Sequence, residues 1–394
     1  MRIFACGAAA ALSMFVYSGK AYSQSSPAEV LDASWIAVCA GAQPGSTFFD
    51  RCQEIINAGP GSGDRRSAAA VGNNLGVVGA QGRRATRDDE RADIAAVRRD
   101  FGAWSLLANA RLGDRDRDSS DFENGFSEDV RAFDFGLDYR INDRWVVGGL
   151  ATFENADADF DGQAGELDAD SWSLTALVSG AFENGWWVQG YLGHRNLEFD
   201  STRNIAYRLT VNAGGPDEAT FDVADLATGS TDGDQLLAGI SFGRTIARNA
   251  WTLTPQLALD FADTDIDGYA EQSGNGLAQR FADQGVESLI LGAGVQVARA
   301  VSTDFGVLQP FGRLGWQREF DNDARELTST FVGDANGTTL AYATQSPDRN
   351  FGDVTIGLTA VFGNGRSLFL AYRYLLGHEF LDDGQLQFGG RFEF

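Results

Sequence analysis

From about residue 101 to the end of the chain, apolar and polar side chains alternate with a period of two. The last ten residues show it most clearly, because Leu386, Phe388, Phe392 and Phe394 alternate with mostly polar residues. Successive side chains of a β-strand point to opposite faces of the sheet. The alternation therefore predicts a series of strands that each have one apolar and one polar face.

We count about twelve such segments, and the links between them alternate in length. Tight turns are predicted at Asn142-Asp143, Asn184-Gly185, Arg248-Asn249, Ser302-Thr303 and Asn364-Gly365. Long acidic links are predicted at 113–129, 156–167, 200–231, 264–284 and 321–349. An even number of strands with short turns at one end and long loops at the other is typical of outer-membrane barrels.

We therefore predict an all-β fold, a membrane-spanning antiparallel up-and-down β-barrel over residues 101–394. Its apolar face contacts the lipid bilayer, and its polar face lines the lumen. Aromatic side chains near the predicted strand ends fit an interfacial girdle. These are Tyr139, Trp145, Trp186, Trp187, Trp251, Trp316, Tyr372 and Tyr374.

The first 23 residues have the pattern of an export signal. A positive start at Arg2 precedes an apolar stretch over 3–17, and Ala21-Tyr22-Ser23 offers a cleavage site before Gln24. This order is that of a secretory signal peptide, which implies passage through the Sec translocon. The alternative is a single anchoring helix, but the apolar stretch is short for a span and Lys20 ends it.

Residues 24–86 lack the β pattern and form a separate short N-terminal segment. Cys39 and Cys52 flank a turn-like Gln43-Pro44-Gly45-Ser46, which predicts two short helices joined by a disulfide. Residues 87–100 are charged and free of Gly and Pro, which favours a further helix.

Composition excludes several classes of protein. The net charge of -24 has the wrong sign for a nucleic-acid binder. No window after the N-terminus is a long apolar run, so a helical membrane protein is excluded. The two histidines, His194 and His378, are far apart in sequence, and no nucleophile or phosphate-loop motif occurs. We predict no enzyme activity and no cofactor.

Four segments together resemble the translocator β-domain of autotransporters, the type V secretion family. Residues 101–112 resemble the first strand after the pore helix, 135–149 the second hairpin, and 308–320 a late strand. Tyr372-Arg373-Tyr374 and the closing residues 390–394 resemble the end of the barrel. The resemblance implies twelve strands with the helix 87–100 inside the pore.

The resemblance also implies the location and partners of the protein. It implies a monomer in the outer membrane of a Gram-negative bacterium, with loops at the cell surface and residues 24–86 carried outward. The C-terminal set Leu386, Phe388, Phe392 and Phe394 resembles the recognition signal for the outer-membrane assembly machinery.

Several residues are weaker site candidates. Alternate carboxylates resemble calcium loops at Asp157, Asp159 and Asp161, and again at Asp263, Asp265 and Asp267. The simpler interpretation is a solvated acidic loop, because no Glu stands at the twelfth position.

Two further hypotheses concern the pore. Asn73-Asn74 resembles the linker at which some autotransporters cleave themselves, although a plain turn is the simpler interpretation. Arg373, Arg391 and Glu393 are predicted to face the lumen. Their expected partners are the acidic helix residues Asp88, Asp89, Glu90 and Asp93.

Two alternatives to an exporting barrel remain open at this point. One is a porin-like channel or structural outer-membrane protein whose N-terminal segment stays in the periplasm. The other is a soluble secreted all-β protein.

Overall fold

A computed structural model describes residues 27–57, 103–211, 219–363 and 365–394. In these ranges twelve long antiparallel strands form a closed barrel, which confirms the predicted fold. Their bounds are β1 Trp104–Arg117, β2 Phe126–Arg140, β3 Trp145–Phe160, β4 Gly165–Ala181, β5 Trp186–Val211, β6 Ala219–Arg244, β7 Trp251–Ile266, β8 Gln284–Arg299, β9 Gly306–Glu319, β10 Asn350–Phe362, β11 Arg366–Leu376 and β12 Leu381–Glu393. The barrel closes where β1 pairs with β12, from Ser105 opposite Glu393 to Arg117 opposite Leu381.

Tight turns gather at one end of the barrel, which we call the turn end. Asn184 and Gly185 have positive φ values of 60° and 77°, the geometry of a two-residue hairpin turn that matches the twist of its strands. Trp104 and Phe394 also lie at this end, and their backbone groups hydrogen-bond to each other. The turn predicted at Ser302-Thr303 is wrong by two residues, because Val301–Thr303 pairs with the start of β9.

Long strand hairpins and loops gather at the opposite end, which we call the mouth. The predicted link 156–167 is mostly strand, because β3 continues to Phe160 and β4 begins at Gly165. β5 and β6, of 26 residues each, likewise run through most of 200–231. The prediction of loops is wrong in these places. Above the apolar band the outer face of a strand is polar and its inner face carries small and apolar residues such as Ala158 and Phe160, so the outward apolar positions that predict a membrane strand stop although the strand continues.

Short strands complete the sheet structure. A four-stranded sheet at the mouth contains Tyr269–Ala270, Gln279–Phe281, Glu326–Phe331 and Leu340–Ala343. Gln272–Ser273 pairs with the upper part of β6, and Ile246–Arg248 extends the turn before β7. The mouth therefore carries its own small sheet on top of the barrel.

The barrel wall is apolar outside and polar inside. Along β12, Phe388 is 46% exposed whereas Gln387 is only 3% exposed. The same contrast separates Phe153 from Thr152 on β3. A wall with an apolar outer face is stable in a lipid bilayer and would be unstable in water. This favours the membrane barrel over the soluble alternative. Trp187 is buried on the inner face, so its assignment to the aromatic girdle is wrong.

Two helices precede the barrel, α1 Pro27–Ala40 and α2 Thr47–Asn57, and we call residues 27–57 the helical hairpin. No helix among the described residues is long and apolar enough to cross a bilayer. The signal peptide with its Ser23–Gln24 cleavage site, the Asn73-Asn74 pair and the helix predicted at 87–100 lie outside the described residues.

Candidate functional site

The helical hairpin is built from local signals in its sequence. Ser46 N donates to Gln43 O at 3.1 Å, and Gly45 has a φ of 84°, as the third position of a type II turn requires. Ser46 Oγ then caps α2 by accepting a hydrogen bond from Phe49 N at 3.1 Å. Cys39 and Cys52 form a disulfide across the two helices, with a Cα–Cα distance of 5.4 Å.

Both helices bury one apolar face at the mouth of the barrel. α1 buries Leu31, Trp35 and Val38, and α2 buries Phe48 and Ile55, at the spacing of one helical face. These side chains pack on a set of mouth residues that we call the platform. The platform consists of Ile205, Val223, Ala227, Leu277, Leu327, Phe331, Leu340 and Tyr342. Each large apolar side chain buried in this way stabilises the contact by about 1.5–3 kcal/mol relative to exposure.

Phe331 lies at the centre of the contact. Its ring centroid is 5.3 Å from that of Trp35 and 5.4 Å from that of Phe48. Phe48 also fits against two glycines, because a Cβ atom on Gly333 would lie 2.5 Å from its ring. A Cβ atom on Gly276, whose φ is 82°, would lie 2.7 Å from the Phe48 backbone nitrogen. The pocket for Phe48 thus exists only because these two positions are glycine.

Backbone hydrogen bonds join the turn of the helical hairpin to the barrel. Ala42 and Asp334 form an isolated antiparallel bridge, and Ala335 N donates to Gly41 O at 3.0 Å. The Asp334 carboxylate fixes the receiving loop by accepting from Asn336 N at 2.8 Å and Thr338 N at 2.7 Å. These hydrogen bonds fix the position of the hairpin turn along the receiving loop, in addition to the apolar packing.

A buried ion pair holds the loop beneath the helical hairpin. Arg203 Nε lies 2.9 Å from Glu271 Oε1, and its Nη2 lies 2.5 Å from Glu271 Oε2. Arg203 Nη2 also donates to Leu277 O at 3.1 Å, and Glu271 accepts from Gln279 N at 2.8 Å. The pair connects β5 to the loop that carries Gly276 and Leu277, so it positions part of the platform.

Burial alters the pKa values of groups around this ion pair. Burial alone would lower the pKa of Arg203, but the hydrogen bonds and charge of Glu271 raise it above its ordinary value. Burial raises the pKa of Tyr342 to about 12, and it also raises the pKa of Tyr269. Arg203 therefore keeps its charge, and the two tyrosines stay neutral, around neutral pH.

The lumen of the barrel is lined by paired charges. Arg111 Nη2 lies 3.1 Å from Asp134 Oδ1, and this carboxylate also accepts from Asn109 at 2.8 Å and Thr152 at 2.7 Å. Glu154 lies 3.8 Å from Arg111. Polar side chains that pair with each other leave a hydrophilic wall without large unbalanced charge at this level.

A second group of charges lies closer to the mouth. Arg115 contacts Glu128 directly, and its Nε lies 3.4 Å from Asp383 Oδ2. These side chains come from β1, β2 and β12, so they bridge the strands at which the barrel closes. Together the two groups make the interior polar between the turn end and the mouth, where buried apolar side chains such as Phe126, Phe160 and Phe199 cluster.

The structure places the three predicted lumen charges on the inner face. Arg391 donates to Ser105 Oγ at 2.7 Å and lies 3.3 Å from Asp138 Oδ2. Glu393 lies 4.0 Å from Arg140, and Arg373 is 8% exposed on the inner side of β11. The helix residues predicted as their partners lie outside the described residues.

The C-terminal residues predicted as an assembly signal all point outward. Leu386, Phe388, Phe392 and Phe394 are 37–65% exposed along the outer face of β12 or just after it. They form one apolar stripe at the strand that closes the barrel against β1.

The calcium hypothesis is wrong in its geometry. Asp157 and Asp159 lie on β3, and Asp263 and Asp265 lie on β7, so extended backbone spreads the carboxylates instead of folding them around an ion. Among the described residues, no group of three or more acidic, His or Cys side chains could hold a metal.

Acidic residues instead form cross-strand rows on the outer surface near the mouth. Asp157 faces Asp129 on one side and Asp168 on the other, and Asp168 faces Asp200. Burial and the neighbouring carboxylates, chiefly Asp157, raise the pKa of Asp168. This is the solvated acidic surface that the simpler interpretation favoured.

No pattern in the sequence predicts the platform. Phe331, Gly333 and Glu271 lie in links that the alternation left as loops, and their contacts join residues far apart in the chain. The helical hairpin could be predicted, but the surface that receives it could not.

Comparison with known proteins places the barrel in a family. The sequence model described as Autotransporter beta-domain matches residues 106–373. Esterase EstA of Pseudomonas aeruginosa is 26% identical over 251 residues, which cover 62% of this chain and 36% of EstA. The pertactin autotransporter of Bordetella bronchiseptica is 26% identical over 256 residues, which cover 64% of this chain and 25% of pertactin. The chain thus matches little more than a third of these relatives at most.

Solved structures show the same fold. The translocator domain of the autotransporter NalP from Neisseria meningitidis matches with a TM-score of 0.60 at 15% identity, over 81% of this chain and 97% of that domain. The β-domain of the Bordetella autotransporter BrkA matches with a TM-score of 0.50 at 19% identity, over 74% of this chain and all of that domain. The chain therefore belongs to the autotransporter β-domain family and forms an outer-membrane β-barrel.

Proposed function

We propose that this outer-membrane barrel exports its own N-terminal segment and displays the helical hairpin, docked on the platform, at the cell surface. One observation carries the proposal: the helical hairpin packs at the mouth, whereas β1 begins at the turn end. Asn57 and Trp104 therefore lie at opposite ends of the barrel, as export of the N-terminal segment through the lumen requires.

The polar part of the lumen, below the mouth, is the route that supports such a crossing. Moving an extended hydrophilic segment from water to a polar wall costs less free energy than moving it into lipid. The wall residues around Asp134 and Arg115 already pair with each other, so a passing segment meets few buried charges that lack partners.

We further propose the partners of the protein's assembly. The first 23 residues would direct it through the Sec translocon, and the outward stripe ending at Phe394 would engage the outer-membrane assembly machinery. We propose a monomer, since the twelve strands close on themselves without an open edge.

We propose no enzymatic role for this chain. Esterase is part of the name of EstA, and the region of EstA that aligns with this chain covers only 36% of it. The purified protein is expected to hydrolyse short-chain nitrophenyl esters no faster than a heat-denatured control, and a faster rate would overturn this part of the proposal.

The orientation is testable with a pair of variants that each add one cysteine to the native Cys39–Cys52 pair. Ile36 is 73% exposed on α1, and Asn249 lies in a tight turn at the turn end. A membrane-impermeant maleimide should label Ile36→Cys in intact cells, and it should label Asn249→Cys only after the outer membrane is opened.

The channel alternative gives the reverse result for the first variant. If Ile36→Cys is labelled only in opened cells, the N-terminal segment stays in the periplasm and the protein is a channel or structural barrel. The impermeant reagent leaves buried Cys39 and Cys52 unmodified in both variants because they are joined in the disulfide.

A further inference from the structure

The four-stranded sheet at the mouth, which we call the lid, joins two long loops into one unit. Residues 267–283 connect β7 to β8, and residues 320–349 connect β9 to β10. Gln279–Phe281 of the first loop pairs with Glu326–Phe331 of the second, so that Gln279 lies opposite Phe331. The two loops therefore form one structure, although they leave the barrel wall at different places.

The lid has one apolar and one polar face. Residues opposite each other on paired strands point to the same side of a sheet, and the side that Phe281 shares with Phe331 is buried. This buried side consists of Tyr269, Gln279, Phe281, Leu327, Ser329, Phe331, Leu340 and Tyr342. The other side, which includes Arg280 and Glu326, is exposed. Strands of two to six residues are marginal by themselves, so the lid depends on what covers its apolar face.

Two different parts of the protein cover this face. At one end, the rings of Tyr269 and Phe281 stack with their centroids 5.0 Å apart. They belong to a buried cluster with Phe160 of β3 and Phe199 of β5, which point into the barrel. At the other end, the lid packs on the helical hairpin through Leu327, Phe331, Leu340 and Tyr342. The barrel wall thus covers one end of the lid, and two helices that are not part of the barrel cover the other.

Polar pairs lie on the same face of the lid. Ser329 Oγ donates to Gln279 Oε1 at 2.7 Å, and Glu271 beside the lid pairs with Arg203 of β5. Closing the lid removes both charges of the Arg203–Glu271 pair from water. The desolvation of a buried ion pair can exceed its mutual attraction, so this pair adds little net stability to the closed lid. The closed lid therefore depends on its apolar contacts, and most of these involve the helical hairpin.

We propose that the docked helical hairpin holds the lid closed over the part of the lumen lined by β2–β5, and that the lid opens when the hairpin undocks. During export the lid is open, because its apolar face has no partner until α1 and α2 arrive. Docking then closes this part of the mouth.

The order of these steps rests on the proposed function, but the dependence of the lid on the helical hairpin does not. The dependence is measured on purified protein, where the orientation in the membrane plays no part. Labelling of Ile36→Cys in intact cells decides the proposed export separately, so the two proposals fail in different experiments.

Two adjacent residues of α1 provide a matched pair of variants. Trp35 is 1% exposed and stacks on Phe331 of the lid, whereas Ile36 is 73% exposed. Trp35→Asp should undock the helical hairpin, because a charge without a partner is costly in an apolar contact. Ile36→Asp adds the same charge to the exposed side of the same helix. Heat-modifiable migration on gels verifies that the barrel of each variant is folded.

Hydrogen exchange of the purified protein measures the state of the lid. In Trp35→Asp, protection of the amides of 279–281 and 326–331 should fall about tenfold to a hundredfold, the effect of exposing one large apolar side chain. The twelve barrel strands should exchange as in the wild type, and Ile36→Asp should match the wild type throughout.

Two exchange results would overturn the proposal. If Trp35→Asp exposes α1 and α2 while the lid keeps its protection, the lid folds without the helical hairpin. If α1, α2 and the lid all keep their protection, burial of Trp35 on the lid does not hold either of them in place.

A cysteine beneath the lid tests the closure itself. Ala158 lies on the inner face of β3, in the cluster that the lid covers, and is 3% exposed. A maleimide should modify Ala158→Cys about tenfold faster in the Trp35→Asp background than in the wild-type or Ile36→Asp background. Equal rates in the three backgrounds would overturn the proposal. Where Trp35→Asp gives no folded barrel, Trp35→Ala and Ile36→Ala replace the pair, and the same order of rates is expected.

Discussion

Phe48 depends on the absence of a side chain at Gly333, since a Cβ atom there would lie 2.5 Å from its ring. We predict that Gly333→Val prevents the helical hairpin from docking, because the phenyl ring cannot move while α2 stays on the platform. Hydrogen exchange of the amides of α2 should lose its protection. The barrel should keep its heat-modifiable migration, because Gly333 lies in the mouth and outside the twelve strands.

A neighbouring glycine provides the control for this prediction. A Cβ atom on Gly274 would meet only Asp225 Oδ1, at 3.9 Å, so Gly274→Val should leave α2 protected. Equal protection of α2 in both variants would show that the Phe48 pocket does not hold the helical hairpin.

The Arg203–Glu271 pair is a second test at the scale of single residues. Both side chains are at most 5% exposed, so removing one partner leaves a buried charge without compensation. We predict that Arg203→Met lowers the local stability of the loop 269–281 by about 3–5 kcal/mol. Hydrogen exchange of the Gln279 amide, which donates to Glu271, reports it.

A double variant shows whether the loss of stability comes from the uncompensated buried charge or from another effect of the substitution. Arg203→Met with Glu271→Leu replaces both charges by apolar groups and should recover most of the lost stability. If the double variant loses as much stability as the two single variants lose together, the ion pair does not explain the position of the loop.

Among the elements, the helical hairpin depends most on its covalent link. The Cys39–Cys52 disulfide closes a short loop between two helices of 14 and 11 residues, which are marginal in isolation. We predict that Cys39→Ala with Cys52→Ala destabilises the docked helical hairpin by about 3 kcal/mol. Hydrogen exchange over residues 27–57 should rise while exchange in the barrel strands stays unchanged.

Unchanged hydrogen exchange would show that the disulfide is not what stabilises the docked helical hairpin. If the doubly substituted chain keeps the same exchange rates in α1 and α2, packing on the platform alone holds the helices. In that case Trp35 and Phe48 account for the docking, and the disulfide acts before docking.

Strands were predictable where the bilayer acts on one face and the lumen on the other. The end of β12 shows this, because Phe388 meets lipid and Gln387 meets the lumen. Beyond the apolar band the outer face meets water and the inner face packs in an apolar cluster that includes Phe160, so Asp157 and Asp159 of β3 appeared as a loop and even as a calcium site. The apolar and polar faces exchange sides there, although the backbone pairing continues.

The docking surface could not be predicted for a different reason. Local spacing places Cys39, Cys52 and the turn at Gly45, but the platform joins Ile205 to Phe331 across more than a hundred residues. No local pattern encodes such a contact. The same holds for Arg203 and Glu271, 68 residues apart, which look like ordinary surface charges in the sequence.

At the scale of the whole molecule, the two ends of the barrel differ in the elements that they carry. The turn end holds Trp104 and Phe394, and the mouth holds the helical hairpin on its platform. The acidic rows near Asp168 also belong to the mouth side, which suits a surface that faces water. Helices at the mouth of a barrel of this polarity are what the proposed export of the N-terminal segment predicts.

The most direct test of this account places a photo-crosslinking phenylalanine analogue at position 48 and irradiates intact cells. The account predicts an intramolecular crosslink to the segment around Phe331 and Gly333, identified by mass spectrometry of the digested protein. Crosslinks to residues of the turn end, or to periplasmic proteins alone, would contradict it and would leave the N-terminal segment on the inner side of the membrane.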